Sequence, residues 1–258
     1  MYYLVTIFAF MAGGIPDYLK LFNTTNSSKN LVAHLTFTNL FQMEYRNSLI
    51  GVEWSVPIEL FYYLILPLFY IFFKKIKFFG LHLFFVSFSL ALLGSEYLNF
   101  DHSSNREIVY HWSVVKYVFC FSFGYILYEF QKKYKSHLAK FNDVFLIELF
   151  ILLICYICSR LPRHEEFIAV WTGALILFLQ GRTQLGKLLF ENKFMLFVGT
   201  ISYSFYLIHY LILTILTQLN LNSFEIFFAG LILTLFLSNF CYKYIEKPCI
   251  DFGKKLIK

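Results

Sequence analysis

The run from Trp54 to Phe73, WSVPIELFYYLILPLFYIFF, most narrows what this chain can become. It contains a single acid, Glu59, and no Lys or Arg. About 20 apolar residues, rising about 1.5 Å each, cross a hydrocarbon core of about 30 Å. Inside lipid the backbone must satisfy its own hydrogen bonds, which leaves helices or closed barrels. Further apolar blocks follow at Phe78–Leu93, Trp112–Phe130, Val144–Ser159, Phe167–Gln180, Phe197–Gln218 and Phe224–Tyr244, and a short one comes first, at Met1–Ala12. The expected fold is all-α: a polytopic integral membrane helical bundle of about eight transmembrane helices, in one membrane domain over residues 1–258.

Composition supports this. The chain is 59% hydrophobic and 15% charged, against about 45–50% and about 25% for soluble domains. Its net charge of +6 reads as basic cytoplasmic loops, not as a nucleic-acid surface. The five cysteines are odd in number, and Cys155 and Cys158 form a C-x-x-C inside an Ile/Leu-rich block with no second pair, so they read as packing residues. Met1–Ala12 lacks a basic leader and runs into Gly13-Gly14-Ile15-Pro16, which reads as a helix end and not a signal-peptide cleavage site. The sequence holds no phosphate-cradling glycine loop, no G-x-S-x-G and no H-E-x-x-H. Gly13–Gly51 is the longest polar segment, with a weakly apolar middle at His34–Met43. A loop of that length is functional or disordered.

Orientation follows from the basic residues. Alternate connections, beginning with Lys74, Lys75 and Lys77, carry 15 of the 22 Lys and Arg. The positive-inside rule then places those connections and both termini in the cytoplasm, with Gly13–Gly51 and the start of the Trp54 span outside.

Two groups of residues could carry chemistry. Glu53 and Glu59 flank Trp54 and Pro57, with Tyr62 just beyond. An acid within a span costs roughly 2.5–3.5 kcal/mol on insertion scales, so it either snorkels to the headgroups or faces a wet interior. Headgroup level suits Glu53; the interior suits the deeper Glu59. The second group is ISYSFYLIH, Ile201–His209, where Ser202, Tyr206 and His209 fall four and three apart on one helical face. A buried imidazole there could act as a general base or be a structural hydrogen-bonding residue. His34, His82, His102, His111, His137 and His164 lie in loops, at loop edges or alone in a span, and read as non-catalytic. Glu246-Lys247-Pro248 reads as a helix stop.

Three segments carry a family resemblance. WSVPIELFYYLILP (Trp54–Pro67), ISYSFYLIH (Ile201–His209) and Tyr244-Ile-Glu-Lys-Pro248 resemble, in order and approximate spacing, signatures of the membrane acyltransferase-3 family. The resemblance implies a saccharide O-acetyltransferase of the lipopolysaccharide O-antigen or exopolysaccharide type. It implies acetyl-CoA or another acyl-CoA as donor substrate, no bound cofactor, no metal, and a saccharide hydroxyl as acceptor. It places the protein in the plasma (inner) membrane, with the bilayer as partner and no nucleic acid. Glu59 and His209 occupy family motif positions. The family's Arg/Lys-to-His pair at eleven residues is not matched by any of the seven histidines. The expectation is an N-terminally incomplete member, without the family's first two spans and inactive alone.

Acyl transfer to a hydroxyl needs a base for the proton and donors for the oxyanion. On that logic Glu59 and His209 are the expected catalytic residues, while Trp54, Glu53, Tyr62, Ser202 and Tyr206 are expected to bind substrate. A glycan-lipid transporter or flippase, using Glu59, Lys116, Glu129 and Glu148, is the rival reading, alongside a non-catalytic fragment. The topology has its own test: a fluorescent protein fused after Lys258 should glow in cells and alkaline phosphatase fused there should stay inactive, and the opposite pattern would reverse the orientation.

Overall fold

The computed structural model describes residues 1–14, 27–73, 79–99, 113–138, 143–158, 165–179, 183–219 and 221–256. Among these residues all regular structure is helical. Helix α1 is Tyr2–Met11, α2 Ser28–Leu35, α3 Ser55–Phe73 and α4 Phe79–Asn99. Helix α5 is Val118–Leu138, α6 Asp143–Cys158, α7 Glu165–Leu179 and α8 Gln184–Phe190. Helix α9 is Lys193–Leu216, α10 Ser223–Cys241 and α11 Lys247–Leu256. Every apolar block read from the sequence coincides with a helix. Spanning length is a stricter condition. The stretches 55–72, 193–216 and 223–256 are long and apolar enough to cross a membrane, whereas the apolar parts of α1, α4, α6 and α7 are shorter. The block expected at Trp112–Phe130 starts its α-helix at Val118, after a 3-10 turn at Val115–Tyr117. Lys74, Lys75, Lys77, Lys140, Arg182, Lys20, Arg106, Arg160, Arg163 and Lys258, which bear on orientation, lie outside the described residues, as do Trp112, His102, His111 and His164.

The chain divides into two compact units, Met1–Leu60 with Leu196–Lys258, and Phe61–Met195. In the first, Tyr2, Val5 and Ala9 of α1 bury with Leu49, Ile50 and the α9 residues Leu207, Ile208, Ile212 and Leu216. Helix α1 stops where the sequence places its stop. The Gly14 N–H donates to the Ala9 carbonyl (2.8 Å) and the Gly13 N–H to Phe10 (3.1 Å), with Gly13 at φ 96°. This is the Schellman pattern, which a glycine adopts without a Cβ penalty. Helix α10 opens with a capping box: Asn222 accepts from the Phe224 and Glu225 N–H groups, and Glu225 accepts from the Asn222 N–H. A π-helical turn at Tyr242–Glu246 joins α10 to α11. Phe224, Phe236 and Phe240 point outward from the α10 stretch, the pattern of a helix solvated by lipid and not by water.

In the second unit α4 packs on α5, α5 on α7, and α6 on α7 and α8. Phe84 stacks on Phe123 (centroids 5.0 Å apart) and Phe88 meets Phe119 edge-on. The Trp171 indole donates to the Leu149 carbonyl at 2.9 Å, which satisfies the polar end of an otherwise apolar ring. Of the transporter candidates here, Lys116 is buried and Glu129 and Glu148 are exposed. Helix α5 breaks at Tyr134 (φ −114°, ψ 23°). A groove of about 850 Å³ lies beside that break, lined by Leu66, Tyr70, Phe79, Phe121, Tyr125 and Lys133, among others.

Gly51, in the first unit, tests the packing. Its φ is +98°, and a Cβ there would overlap the Tyr210 ring. A strained backbone of this kind costs of order 1–3 kcal/mol in a non-glycine residue. Gly51→Ala should therefore lower the thermal unfolding midpoint of the detergent-solubilised protein, and an unchanged midpoint would contradict the Gly51–Tyr210 contact.

Candidate functional site

The polar residues of the first unit gather at three places. The first is built on α2. Ser27 caps it by accepting from the Asn30 N–H at 3.3 Å. Asn30 and His34, one turn apart, then share a face and are both buried, with 1% and 0% of their surface exposed. Ser48 donates to the Asn30 side-chain oxygen (2.9 Å). The His34 Nδ1 lies 2.9 Å from the Asn30 carbonyl and its Nε2 3.3 Å from Glu53 Oε1. A carbonyl only accepts, so Nδ1 carries a proton. The Nε2–Oε1 contact then also requires one proton, either on the imidazole or on the carboxyl. In both cases the pair is neutral as a whole.

Glu53 does more than pair with His34. Its Oε1 accepts from the Leu49 N–H (2.8 Å) and its Oε2 from the Gly51 N–H (2.6 Å). The segment between α2 and α3 contains only short 3-10 turns at Thr38–Phe41 and Met43–Tyr45. Its buried N–H groups therefore need side-chain partners. Glu53 is fully buried and is not the headgroup-level residue expected from the sequence. The Leu49 and Gly51 N–H groups, with the proton shared between His34 and Glu53, offset the cost of taking the acid out of water. His34, read as a loop histidine, is likewise interior. Arg46 is buried and donates through Nη2 to the Leu40 carbonyl. Burial pulls its guanidinium below the ordinary arginine value. Its Nε and Nη1, and both side-chain polar atoms of Asn39, have no partner among the described residues.

The second place is the polar face of α9. The Tyr206 hydroxyl donates to the Val52 carbonyl (2.8 Å) and shares a hydrogen bond with Ser55 (2.9 Å). The His209 Nδ1 lies 2.7 Å from the Tyr206 carbonyl and 3.2 Å from that of Phe205. Both partners are acceptors, so Nδ1 carries a proton, and in the neutral ring Nε2 is the nitrogen with the lone pair. That Nε2 has no hydrogen-bond partner among the described residues. The ring is half-buried. Ser202 is exposed and donates back to the Gly199 carbonyl at 2.9 Å, so the expected three-residue stripe lies on one helix without joining in one network.

The third place is centred on Glu246. Glu246, held inward by the π-turn, accepts from Ser204 at 2.7 Å, and both are buried. Glu246 and the exposed Glu59 are both near enough for their charges to act on the Tyr203 hydroxyl, and Glu59 also acts on Tyr206. The sequence reads Glu246-Lys247-Pro248 as a helix stop, but the helical stretch continues through it to Leu256, because the proline falls in the first turn of α11, where no N–H is needed. A clue to the role of Glu246 is Ser204, two residues along α9 from Ser202 and so on a different face. Trp54 is half-buried before α3. Tyr62 lies in the other unit, where its hydroxyl donates to the Val114 carbonyl and its ring stacks on Phe121 at 4.0 Å.

Among the described residues, three helices of membrane-spanning length, with polar and charged side chains buried beside them, mark a membrane protein. The chain belongs to the acyltransferase-3 family: the family model described as an acyltransferase domain matches residues 1–243. No curated protein and no solved structure gives a significant match. The Ser204–Glu246 contact has a direct check. A hydrogen bond to a charged group is worth about 1.5–3 kcal/mol, so Ser204→Ala should reduce the unfolding free energy in detergent by about that amount, and no loss would mean that the serine does not hold the carboxylate.

Proposed function

We propose that the chain is a membrane O-acyltransferase that moves an acetyl or similar acyl group from acyl-CoA to a hydroxyl of a cell-surface or lipid-linked saccharide, of the O-antigen or exopolysaccharide kind. The observation that carries this reading is the His209 ring, whose Nδ1 is committed to backbone carbonyls while Nε2 keeps its lone pair. That is the tautomer a general base needs. In the transfer, Nε2 takes the proton of the acceptor hydroxyl as its oxygen bonds to the thioester carbonyl carbon. The C–S bond then breaks and the coenzyme A thiolate leaves with the proton returned by the imidazolium. Glu59, exposed on α3 with its charge reaching Tyr203 and Tyr206, orients the acceptor hydroxyl. Trp54 and Ser202 offer a ring face and a hydroxyl to the sugar. Tyr62 is engaged by Val114 and Phe121 and contributes packing.

A positioned general base contributes about 10²–10⁴-fold. In membranes carrying the full-length protein, His209→Ala should lower acetyl-CoA-dependent glycan O-acetylation by that factor, and Glu59→Gln should lower it strongly, with both variants inserted normally. Base-labile acetate on the glycan is the readout. Near-parental acetylation in either variant would remove that residue from the site.

A further inference from the structure

The mechanism leaves one buried titratable pair unused. His34 and Glu53 are both fully buried, so neither touches a substrate. Their arrangement nevertheless leads to the reacting histidine. Glu53 binds the N–H groups of Leu49 and Gly51 and thereby fixes a stretch that no helix organises. The next residue, Val52, presents its carbonyl to the Tyr206 hydroxyl. Gly51, at φ +98°, packs directly against the Tyr210 ring. Tyr206 and Tyr210 bracket His209 on α9, and the Tyr206 carbonyl holds the His209 Nδ1. His34, clamped at Nδ1 by Asn30 and at Nε2 by Glu53, prevents the carboxylate from turning away from the two N–H groups. Ser48 ties the same stretch back to Asn30.

We infer that the His34–Glu53 pair is the positioning unit of the transferase site: it folds residues 49–52 into the shape that grips Tyr206 and Tyr210 on either side of His209. This rests on the reading of His209 as the base. The pair explains why an acid is retained in this interior. An apolar residue at 53 would leave two buried N–H groups without partners, whereas the His34–Glu53 pair satisfies them while staying neutral as a whole.

The test is a double-variant cycle on the full chain in membranes, with labelled acetyl-CoA as donor and the glycan of the producing cells as acceptor. Glu53→Gln places an amide NH₂ against the Leu49 or Gly51 N–H. Tyr206→Phe removes the strap to Val52 and keeps the ring. A misplacement of about 1 Å can cost about 10²-fold in rate, so each single variant should lower kcat roughly 10- to 100-fold with the acetyl-CoA and acceptor KM little changed. The double variant should fall no further than the worse single one, because both act through one link. Additive losses, or a raised KM at parental kcat, would overturn the inference. If Glu53→Gln does not accumulate in the membrane, Tyr206→Phe decides alone: a parental kcat overturns it. His209→Ala separates the two ideas. Parental activity there defeats the assignment of the base, whereas lost activity there combined with parental Tyr206→Phe defeats only the positioning role.

Discussion

An acid buried with no access to solvent is tolerated only where its oxygens find hydrogen-bond partners, and Glu53 is such a group. It persists because the stretch before α3 needs it. Residues 46–54 form neither helix nor strand, so their N–H groups have no regular ladder to join. The Glu53 oxygens take two of them and meet the His34 ring as well. From this one cradle follow the buried face of α2, the turn that starts α3, and the contacts that Val52 and Gly51 make with α9. The first unit buries polar groups beside its apolar core because an irregular segment lies there, and the acid is what allows it to be irregular.

The membrane sets the opposite demand. Helices of spanning length show Phe, Leu and Ile outward, and their polar groups have to turn toward the interior of their own unit. The π-turn at Tyr242–Glu246 does this for Glu246, bringing its carboxylate to Ser204 within a helical stretch that runs on to Leu256. Extra residues in a helical turn of this kind are frequent at functional sites. The proposed acyl transfer would give these groups a common purpose. Transfer to a hydroxyl requires a base with a free lone pair, and the Tyr206 carbonyl, by accepting the hydrogen bond from Nδ1–H, makes Nε2 the basic nitrogen of the neutral His209 ring.

The sequence made the helical architecture readable because apolar blocks are long, local signals. The Gly13-Gly14 stop of α1 was readable for the same reason, since glycine at a helix end has a local cause. Glu59 and His209 stood out because a polar group inside an apolar run is conspicuous. Glu53 and His34 did not, since their partnership spans nineteen residues of polar chain and nothing local distinguishes a loop histidine from a buried one. Ser204 and Glu246, forty-two residues apart, escaped for the same reason: the π-turn that aims Glu246 inward has no spacing signature. Full spanning length was also harder to read than apolarity, because helix ends such as Val118 depend on 3-10 turns and packing.

Acyl transfer itself is the most direct point at which to challenge this account. The purified full-length protein in liposomes, given acetyl-CoA labelled in its acetyl group and the glycan lipids of its own cells, should move the label into base-labile esters on the glycan and release coenzyme A in equal amount. Label that stays in acetyl-CoA while the glycan lipid crosses the bilayer would contradict it and make the protein a carrier.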